Sequence, residues 1–129
     1  VERFKDERGA VMLTVMGGRV AEGLDFPDEE LQMAIIAGIP YPSPTLQQQR
    51  LRELYDRRYH KGWEYAAEAP AIRKMLQAMG RLIRNETDVG ACVILDSRAK
   101  RFASQIDMKM TSDPATDVLR FFGERESTR

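Results

Sequence analysis

A glutamine and two arginines recur at helical spacing in the segment Gln-Ala-Met-Gly-Arg-Leu-Ile-Arg, which runs from residue 77 to residue 84. At about 100° per residue, Gln77, Arg81 and Arg84 fall within roughly 60° of one another around a helix axis. Guanidinium groups are planar, permanently charged and fork-shaped, so they suit the binding of phosphate. The spacing therefore predicts one helix face that could hold a phosphate-bearing ligand.

The apolar residues of the same segment predict how this helix packs. They form a narrow stripe on the opposite face, made of Ile72, Leu76, Met79 and Ile83. The helix is expected to run from about residue 69 to residue 84, with Gly80 in its interior. Glycine there costs about 1 kcal/mol relative to alanine, which close approach by another segment or a ligand would explain. A solvated polar face is the alternative explanation of the whole pattern.

A glycine-rich motif follows an apolar run over residues 10–16, which has the length and composition of a buried strand. The motif reads Gly-Gly-Arg-Val-Ala-Glu-Gly-Leu-Asp-Phe over residues 17–26. Paired glycines let a backbone approach a ligand closely, and ligands of open α/β sheets bind at the carboxyl ends of the strands. A ligand-binding loop and a plain turn with solvated charges are both open. Neither a dinucleotide fingerprint nor a P-loop pattern occurs in the chain.

Further elements predict the fold class. Residues 31–37 and 91–96 form two more apolar runs of strand length, and the three prolines between residues 39 and 44 must lie outside a sheet. Helices are expected from about 45 to 61 and from 113 to about 122, the latter capped by Asp113. Apolar strands separated by helices indicate an α/β fold with a mostly parallel sheet.

Composition limits the possible chemistry. The 129 residues carry 20 basic and 20 acidic side chains, so the net charge is zero and any polyanion must be held by a local arrangement. Cys92 is the only cysteine and His60 the only histidine, which leaves too few ligands for a zinc or iron–sulfur centre. Cys92 is expected to be a small buried apolar residue. No apolar run approaches the ~18 residues of a membrane span.

Aromatic residues mark two possible nucleic-acid contacts. The helix from Arg50 to Lys61 interleaves basic and aromatic side chains, which could contact single-stranded nucleic acid or a protein partner, although packing alone also explains them. Tyr41 lies between two prolines just past a strand end, where an exposed ring could stack on a base.

The two glycine–arginine motifs occur in a fixed order, about fifty residues apart. Together they resemble helicase motifs V (residues 17–26) and VI (residues 77–84) in the second motor domain of superfamily 2 helicases, in the XPD/DinG form. Residues 39–42 and 88–98 are also similar to that family, and the resemblance covers about residues 10 to 102. It implies a RecA-like, mostly parallel sheet with flanking helices, of which residues 1–129 are an incomplete part. The short spacing between the motifs resembles archaeal members.

The resemblance implies a role for each matching residue. Arg81 and Arg84 would act as arginine fingers on the γ-phosphate of ATP, and Gln77 would help to orient the site. Three residues of the glycine-rich motif would bind ATP or couple its state to the cleft: Glu22, Gly23 and Asp25. Three residues would lie along single-stranded DNA: Gly18, Arg19 and Tyr41.

The same resemblance implies partners and cofactors. ATP and Mg²⁺ would be bound mainly by a first RecA-like domain of the same protein, and a 4Fe–4S cluster would also lie outside this chain. The protein would unwind DNA 5′ to 3′ in nucleotide excision repair, contact single-stranded or forked DNA and repair-complex proteins, and act inside the cell rather than at a membrane. Residues 1–129 alone are not expected to be active. A DinG-like helicase and a non-catalytic interaction module with a motor fold are the alternatives.

Overall fold

A parallel pair of strands organises the computed structural model, which describes residues 4, 6–7, 9–16, 31–83 and 86–126. Strand β1 spans Met33–Ile36 and strand β2 spans Ala91–Ile94, with Met33 opposite Ala91 and Ile36 opposite Ile94. The apolar runs at 31–37 and 91–96 therefore do form strands, as predicted. The described part of the chain is an α/β structure of the kind expected for a partial RecA-like domain.

Helices connect and follow the two strands. Between β1 and β2 lie helix α1 (Leu46–Tyr59), a π-helical turn (Glu64–Glu68) and helix α2 (Ala69–Met79). After β2 come a 3₁₀ helix (Ser97–Phe102), helix α3 (Ala103–Ile106) and helix α4 (Pro114–Glu126).

Capping residues explain where α1 and α4 begin. The Thr45 hydroxyl accepts a hydrogen bond from the Gln48 backbone N–H at 3.1 Å, and Asp113 Oδ1 accepts one from the Thr116 N–H at 3.1 Å. Helix α1 ends where His60 adopts a left-handed conformation, with φ of 55°. Both predicted helices are confirmed, but α4 continues through Gly123 to residue 126 rather than ending at 122.

Helix α2 ends earlier than the sequence predicted. Its last residue is Met79, and Gly80 is the C-cap rather than an interior residue. The next two N–H groups, of Arg81 and Leu82, donate to Ala78 and Met79 three residues back, which is the tightened geometry of a helix end. The expectation of a continuous helix to residue 84 is therefore wrong, and the cost of an interior glycine does not apply.

The buried face of α2 also differs from the predicted stripe. Ala71 and Met75 are fully buried, whereas Leu76 is 44% exposed. Ile83, beyond the helix end, is 55% exposed. Ile72 and Met79 of the predicted stripe are half-buried and do pack against the core, so the observed face overlaps the predicted one but is centred nearer Ala71 and Met75. Ala71 is small enough to let the helix approach β1 closely, which hydrophobic periodicity by itself does not reveal.

The apolar run at 10–16 is not a strand. Val11, Leu13 and Val15 are 86%, 94% and 77% exposed, and no ladder hydrogen bond joins this run to another segment within the described ranges. A strand needs a partner for its backbone donors and acceptors, so apolar composition alone does not make one. Met16, at the end of the run, does pack against the core.

The core lies between the sheet, α2 and the segment that follows β2. Phe102 and Met75 are its largest fully buried side chains, and Ile106 is 6% exposed. No helix or strand was predicted for residues 97–112, although this stretch supplies two central core residues, Phe102 and Ile106. Its 3₁₀ geometry lacks the period of 3.6 on which recognition of an amphipathic helix depends.

Candidate functional site: an arginine turn and a cation–aromatic stack

The predicted phosphate-binding residues lie at the end of α2. Gln77 is exposed in the last turn of the helix, and Arg81 is half-buried in the turn that follows Gly80. Arg84 lies outside the described residues, as do the predicted residues of the glycine-rich motif, namely Gly18, Arg19, Glu22, Gly23 and Asp25. The structure therefore locates Gln77 and Arg81, and the functional roles of all eight residues remain predictions.

Leu82 anchors the turn over residues 80–82, which we call the arginine turn. Its side chain is only 5% exposed and lies against Gly90, the residue before β2. Since both strands begin at the same level of the parallel pair, the arginine turn lies at the amino edge of the sheet.

Tyr41 lies at the opposite edge, in the loop after β1. It was predicted to be exposed, but it is half-buried and packs against the core. Its ring also contacts Trp63, with centroids 5.2 Å apart and the planes tilted by 48°. The prediction of an exposed ring is therefore wrong, because the core and Trp63 cover part of the Tyr41 side chain.

Two guanidinium groups complete this arrangement. Arg98 lies 5.8 Å from the centroid of the Tyr41 ring, and Arg52 lies 5.3 Å from that of Trp63. Both distances are within the range of cation–π attraction. We refer to Tyr41, Trp63, Arg52 and Arg98 as the cation–aromatic stack. It combines flat apolar surface with positive charge, which are the two properties that hold single-stranded nucleic acid.

Asp96 orients Arg98 and joins the carboxyl ends of the two strands. Its Oδ1 accepts from Arg98 Nε at 2.9 Å, and its Oδ2 accepts from Arg98 Nη2 at 2.6 Å and from the Ile39 backbone N–H at 3.2 Å. The Asp96 side chain is 9% exposed, whereas that of Arg98 is 63% exposed. The carboxylate is therefore sheltered and the guanidinium faces solvent with its direction fixed.

These contacts also set the protonation of Asp96. Hydrogen bonds from the side chain and backbone of Arg98, with a smaller one from Ile39, hold the pKa of Asp96 well below its ordinary value. A carboxyl whose pKa is lower in the folded than in the unfolded state stabilises the fold above the unfolded pKa, near 4. That contribution is lost only as the pH falls through the lower, folded-state pKa. Arg98 thus stays paired throughout the neutral range.

Trp63 is fixed by a second set of polar contacts. Its indole Nε1 donates to Glu68 Oε1 at 3.1 Å, and the same oxygen pairs with Arg101 at 2.5 Å. Just before it, the Gly62 N–H donates to Asp56 Oδ1 at 3.2 Å. Because its ring cannot turn without breaking these bonds, Trp63 presents a pre-organised surface.

Neither Trp63 nor Arg98 was assigned to a site from the sequence. A signal for the second was present: Tyr41 and Arg98 each follow the carboxyl end of a predicted parallel strand. Residues in those positions lie at one edge of a sheet. The position of Trp63 could not be read in this way, because it depends on how the chain turns between α1 and α2.

The aromatic residues of α1 pack mainly on one another. Tyr55, Tyr59 and Tyr65 form a cluster with ring centroids 5.5–6.2 Å apart, and Arg58 lies 5.6 Å from the Tyr59 centroid. Packing therefore accounts for these rings, as the alternative interpretation held. Tyr59 and Tyr65 remain 46% and 44% exposed, so the cluster forms part of the surface.

The described residues contain no group of three or more side chains suited to hold a metal ion. Cys92 is partly buried against the core, and this burial raises the pKa of its thiol to about 11. Because the whole chain has one cysteine, it cannot hold a 4Fe–4S cluster by itself. None of the helices in the described ranges is long and apolar enough to cross a membrane.

The chain belongs to the helicase C-terminal domain family, because residues 1–113 match the sequence model of that family. This agrees with the resemblance of its motifs to superfamily 2 DNA helicases of the XPD/DinG type.

Similar proteins give the same classification. The chain is 33% identical to the regulator of telomere elongation helicase 1 homolog of Caenorhabditis elegans over 93% of its length. It is 31% identical to the ATP-dependent DNA helicase chl-1 of Caenorhabditis elegans over 93%, and 37% identical to the Fanconi anemia group J protein homolog of Gallus gallus over 95%. The chain covers only 14%, 15% and 11% of the lengths of these three relatives, respectively. All three are animal proteins, which gives the expected archaeal affinity no support.

Proposed function

We propose that this chain is part of the second RecA-like motor domain of an ATP-dependent DNA helicase. One structural observation carries the proposal: a single small sheet has a half-buried arginine turn at its amino edge and a cation–aromatic stack at its carboxyl edge. A motor domain needs both a group that senses the nucleotide and a surface that contacts the strand. Here the two are joined by strands only four residues long.

On the nucleotide side, Arg81 and Arg84 supply positive charge to the γ-phosphate of ATP held mainly by another domain. Charge that builds up during phosphoryl transfer is stabilised by guanidinium groups that are already in place. Gln77, one helical turn before Arg81, orients the same site. Three residues of the glycine-rich motif link the state of the nucleotide to the cleft: Glu22, Gly23 and Asp25.

The cofactors of the proposed reaction lie mainly outside this chain. The described residues offer no acidic cluster for Mg²⁺, and the single cysteine does not fit a 4Fe–4S cluster. We therefore assign both to other parts of the complete protein. Mg²⁺, when bound there with ATP, neutralises phosphate charge.

On the DNA side, the cation–aromatic stack contacts single-stranded DNA, with Gly18 and Arg19 along the same path. Tyr41 and Trp63 supply ring surface, and Arg98 supplies an exposed guanidinium whose direction Asp96 sets. We assign the complete protein to 5′-to-3′ unwinding in DNA repair, in the XPD or DinG branch, with forked DNA and repair proteins as partners inside the cell. The similarity to a regulator of telomere elongation helicase homolog and to an ATP-dependent DNA helicase supports DNA maintenance as the broader setting.

Replacing Arg98 with Ala in the complete protein should weaken the binding of single-stranded DNA about tenfold. It should also reduce the slope of log affinity against log salt by about 0.7, the value for one phosphate contact on a single strand. The measurement is fluorescence anisotropy with a labelled oligo-dT at several salt concentrations. Arg98→Lys should restore part of the salt slope because it keeps the charge.

Arg57 and Arg58, on α1, provide the matched control and a test of the interaction-module alternative. The exposed tyrosine cluster beside them is the observation that favours that alternative. The double variant Arg57→Ala, Arg58→Ala should leave oligo-dT affinity unchanged. If it weakens DNA binding or partner pull-down while Arg98→Ala does not, the interaction surface is α1 and the proposed DNA path is wrong.

A further inference from the structure

Gly90 lies between a fixed strand and the arginine turn. The Ala91 N–H donates to the Gln32 carbonyl at 3.0 Å, which sets the register at the start of β2. On the other side of Gly90, Leu82 closes the space. Gly90 is half-buried, and the space that a side chain would need is closed on the flank that faces Leu82.

A side chain at position 90 has no space. A Cβ placed there would lie 2.9 Å from the Leu82 Cβ, 3.3 Å from the Leu82 Cδ2 and 3.4 Å from the Gln32 carbonyl oxygen. Two carbon atoms in contact are separated by about 3.5–4.0 Å. The closest clash involves a Cβ, which a change of rotamer cannot move.

Relief of this clash must displace the arginine turn. The chain beside Gly90 is tied to Gln32 by the hydrogen bond from the Ala91 N–H, whereas Leu82 belongs to a turn outside the sheet, whose Arg81 and Leu82 N–H groups donate to Ala78 and Met79. Arg81 precedes Leu82 directly, so any movement of Leu82 is transmitted to the backbone that carries the guanidinium.

We propose that Gly90 is a positioning residue for ATP hydrolysis. Because Gly90 has no side chain, Leu82 can pack directly against it, and this packing contact sets the position of Arg81. This inference rests on the proposed function, because it concerns what Arg81 does to a phosphate. It adds a requirement at a residue that touches neither nucleotide nor DNA. The packing of Leu82 against Gly90 thus acts together with the hydrogen bonds to the end of α2 in placing Arg81.

The test is Gly90→Ala in the complete helicase, assayed for DNA-stimulated ATP hydrolysis. A shift of about half an ångström in a group that acts on the transition state should lower kcat roughly 10- to 100-fold. KM for ATP, oligo-dT affinity and Tm should stay near their original values. Affinity for ADP with aluminium fluoride should fall along with kcat, and affinity for a non-hydrolysable ATP analogue should not, since an arginine finger acts mainly on the transition state.

Gly123→Ala is the matched control, because a Cβ there meets nothing within 4 Å. It should leave every parameter unchanged. Leu82→Val is the second variant: it keeps an apolar side chain in the core and the Cβ beside Gly90 but loses Cδ2, the other atom that reaches Gly90, so the fold should persist while kcat falls several-fold.

The outcomes separate the two proposals. If Arg81→Ala abolishes hydrolysis and both Gly90→Ala and Leu82→Val keep the original kcat, the positioning role of Gly90 is wrong and the proposed function stands. If Arg81→Ala itself keeps normal hydrolysis, the proposed function fails. A Gly90→Ala protein that loses oligo-dT affinity and Tm in step with kcat would show general damage and also overturn the positioning role.

Discussion

Arg81→Ala in the complete helicase is expected to reduce kcat for DNA-stimulated ATP hydrolysis by about 10³-fold or more. Guanidinium groups that reach a transferred phosphate contribute about 10³- to 10⁵-fold to turnover in related nucleotide hydrolases. The loss should fall on kcat because the charge that Arg81 stabilises develops in the transition state. Steady-state phosphate release at saturating DNA and ATP measures it.

Affinity for oligo-dT should change little in the same variant. Arg81 lies in the turn at the amino edge of the sheet, whereas the cation–aromatic stack lies at the carboxyl edge. Arg73→Ala is the control, since this exposed arginine lies on α2, about two helical turns before Arg81. Near-normal hydrolysis by Arg81→Ala would remove the assignment of an arginine finger.

Phe102→Ala is expected to have the largest effect on stability. Phe102 is fully buried between the sheet and α2, and truncation of a buried phenylalanine costs about 3–5 kcal/mol of unfolding free energy. This is a large part of the 5–15 kcal/mol that a typical domain has. Limited proteolysis and thermal unfolding of the complete protein should show early loss of this region.

Leu119→Ala is the control for that substitution. The leucine is 75% exposed on α4, so its truncation should shift the unfolding free energy by no more than about 0.5 kcal/mol. Equal effects of the two substitutions would mean that residues 97–106 do not form the core described above.

The agreement between sequence and structure is best where one local rule is sufficient. Asp113 was predicted as a cap because an aspartate just before a helix commonly accepts a hydrogen bond from a backbone N–H of the first turn, and its Oδ1 does accept from the Thr116 N–H. The strands at 33–36 and 91–94 were identifiable because each is a short apolar run bounded by glycine, proline or polar residues.

The agreement between sequence and structure is weakest where several local conformations or helix faces are possible and tertiary packing selects one of them. The predicted apolar stripe of α2 packs against the core only in part, through Ile72 and Met79, whereas the residues that the helix buries completely are Ala71 and Met75, on the side that faces β1. The run at 10–16 met the composition of a strand but has no strand beside it within the described ranges, because pairing is a property of two segments.

The sequence by itself determined the family and the residue types available to it: the Gln–Arg–Arg spacing, the glycine pair and the parallel order of the later strands. Those are local patterns, and a guanidinium is suited to phosphate wherever it lies. Only the tertiary structure showed that Arg81 is positioned by Leu82 against Gly90, and that Tyr41, Trp63 and Arg98 meet at the other edge of the sheet. The physical reason is that these contacts join residues 8 to 57 positions apart, whose distances are set by close packing of the core rather than by local conformation.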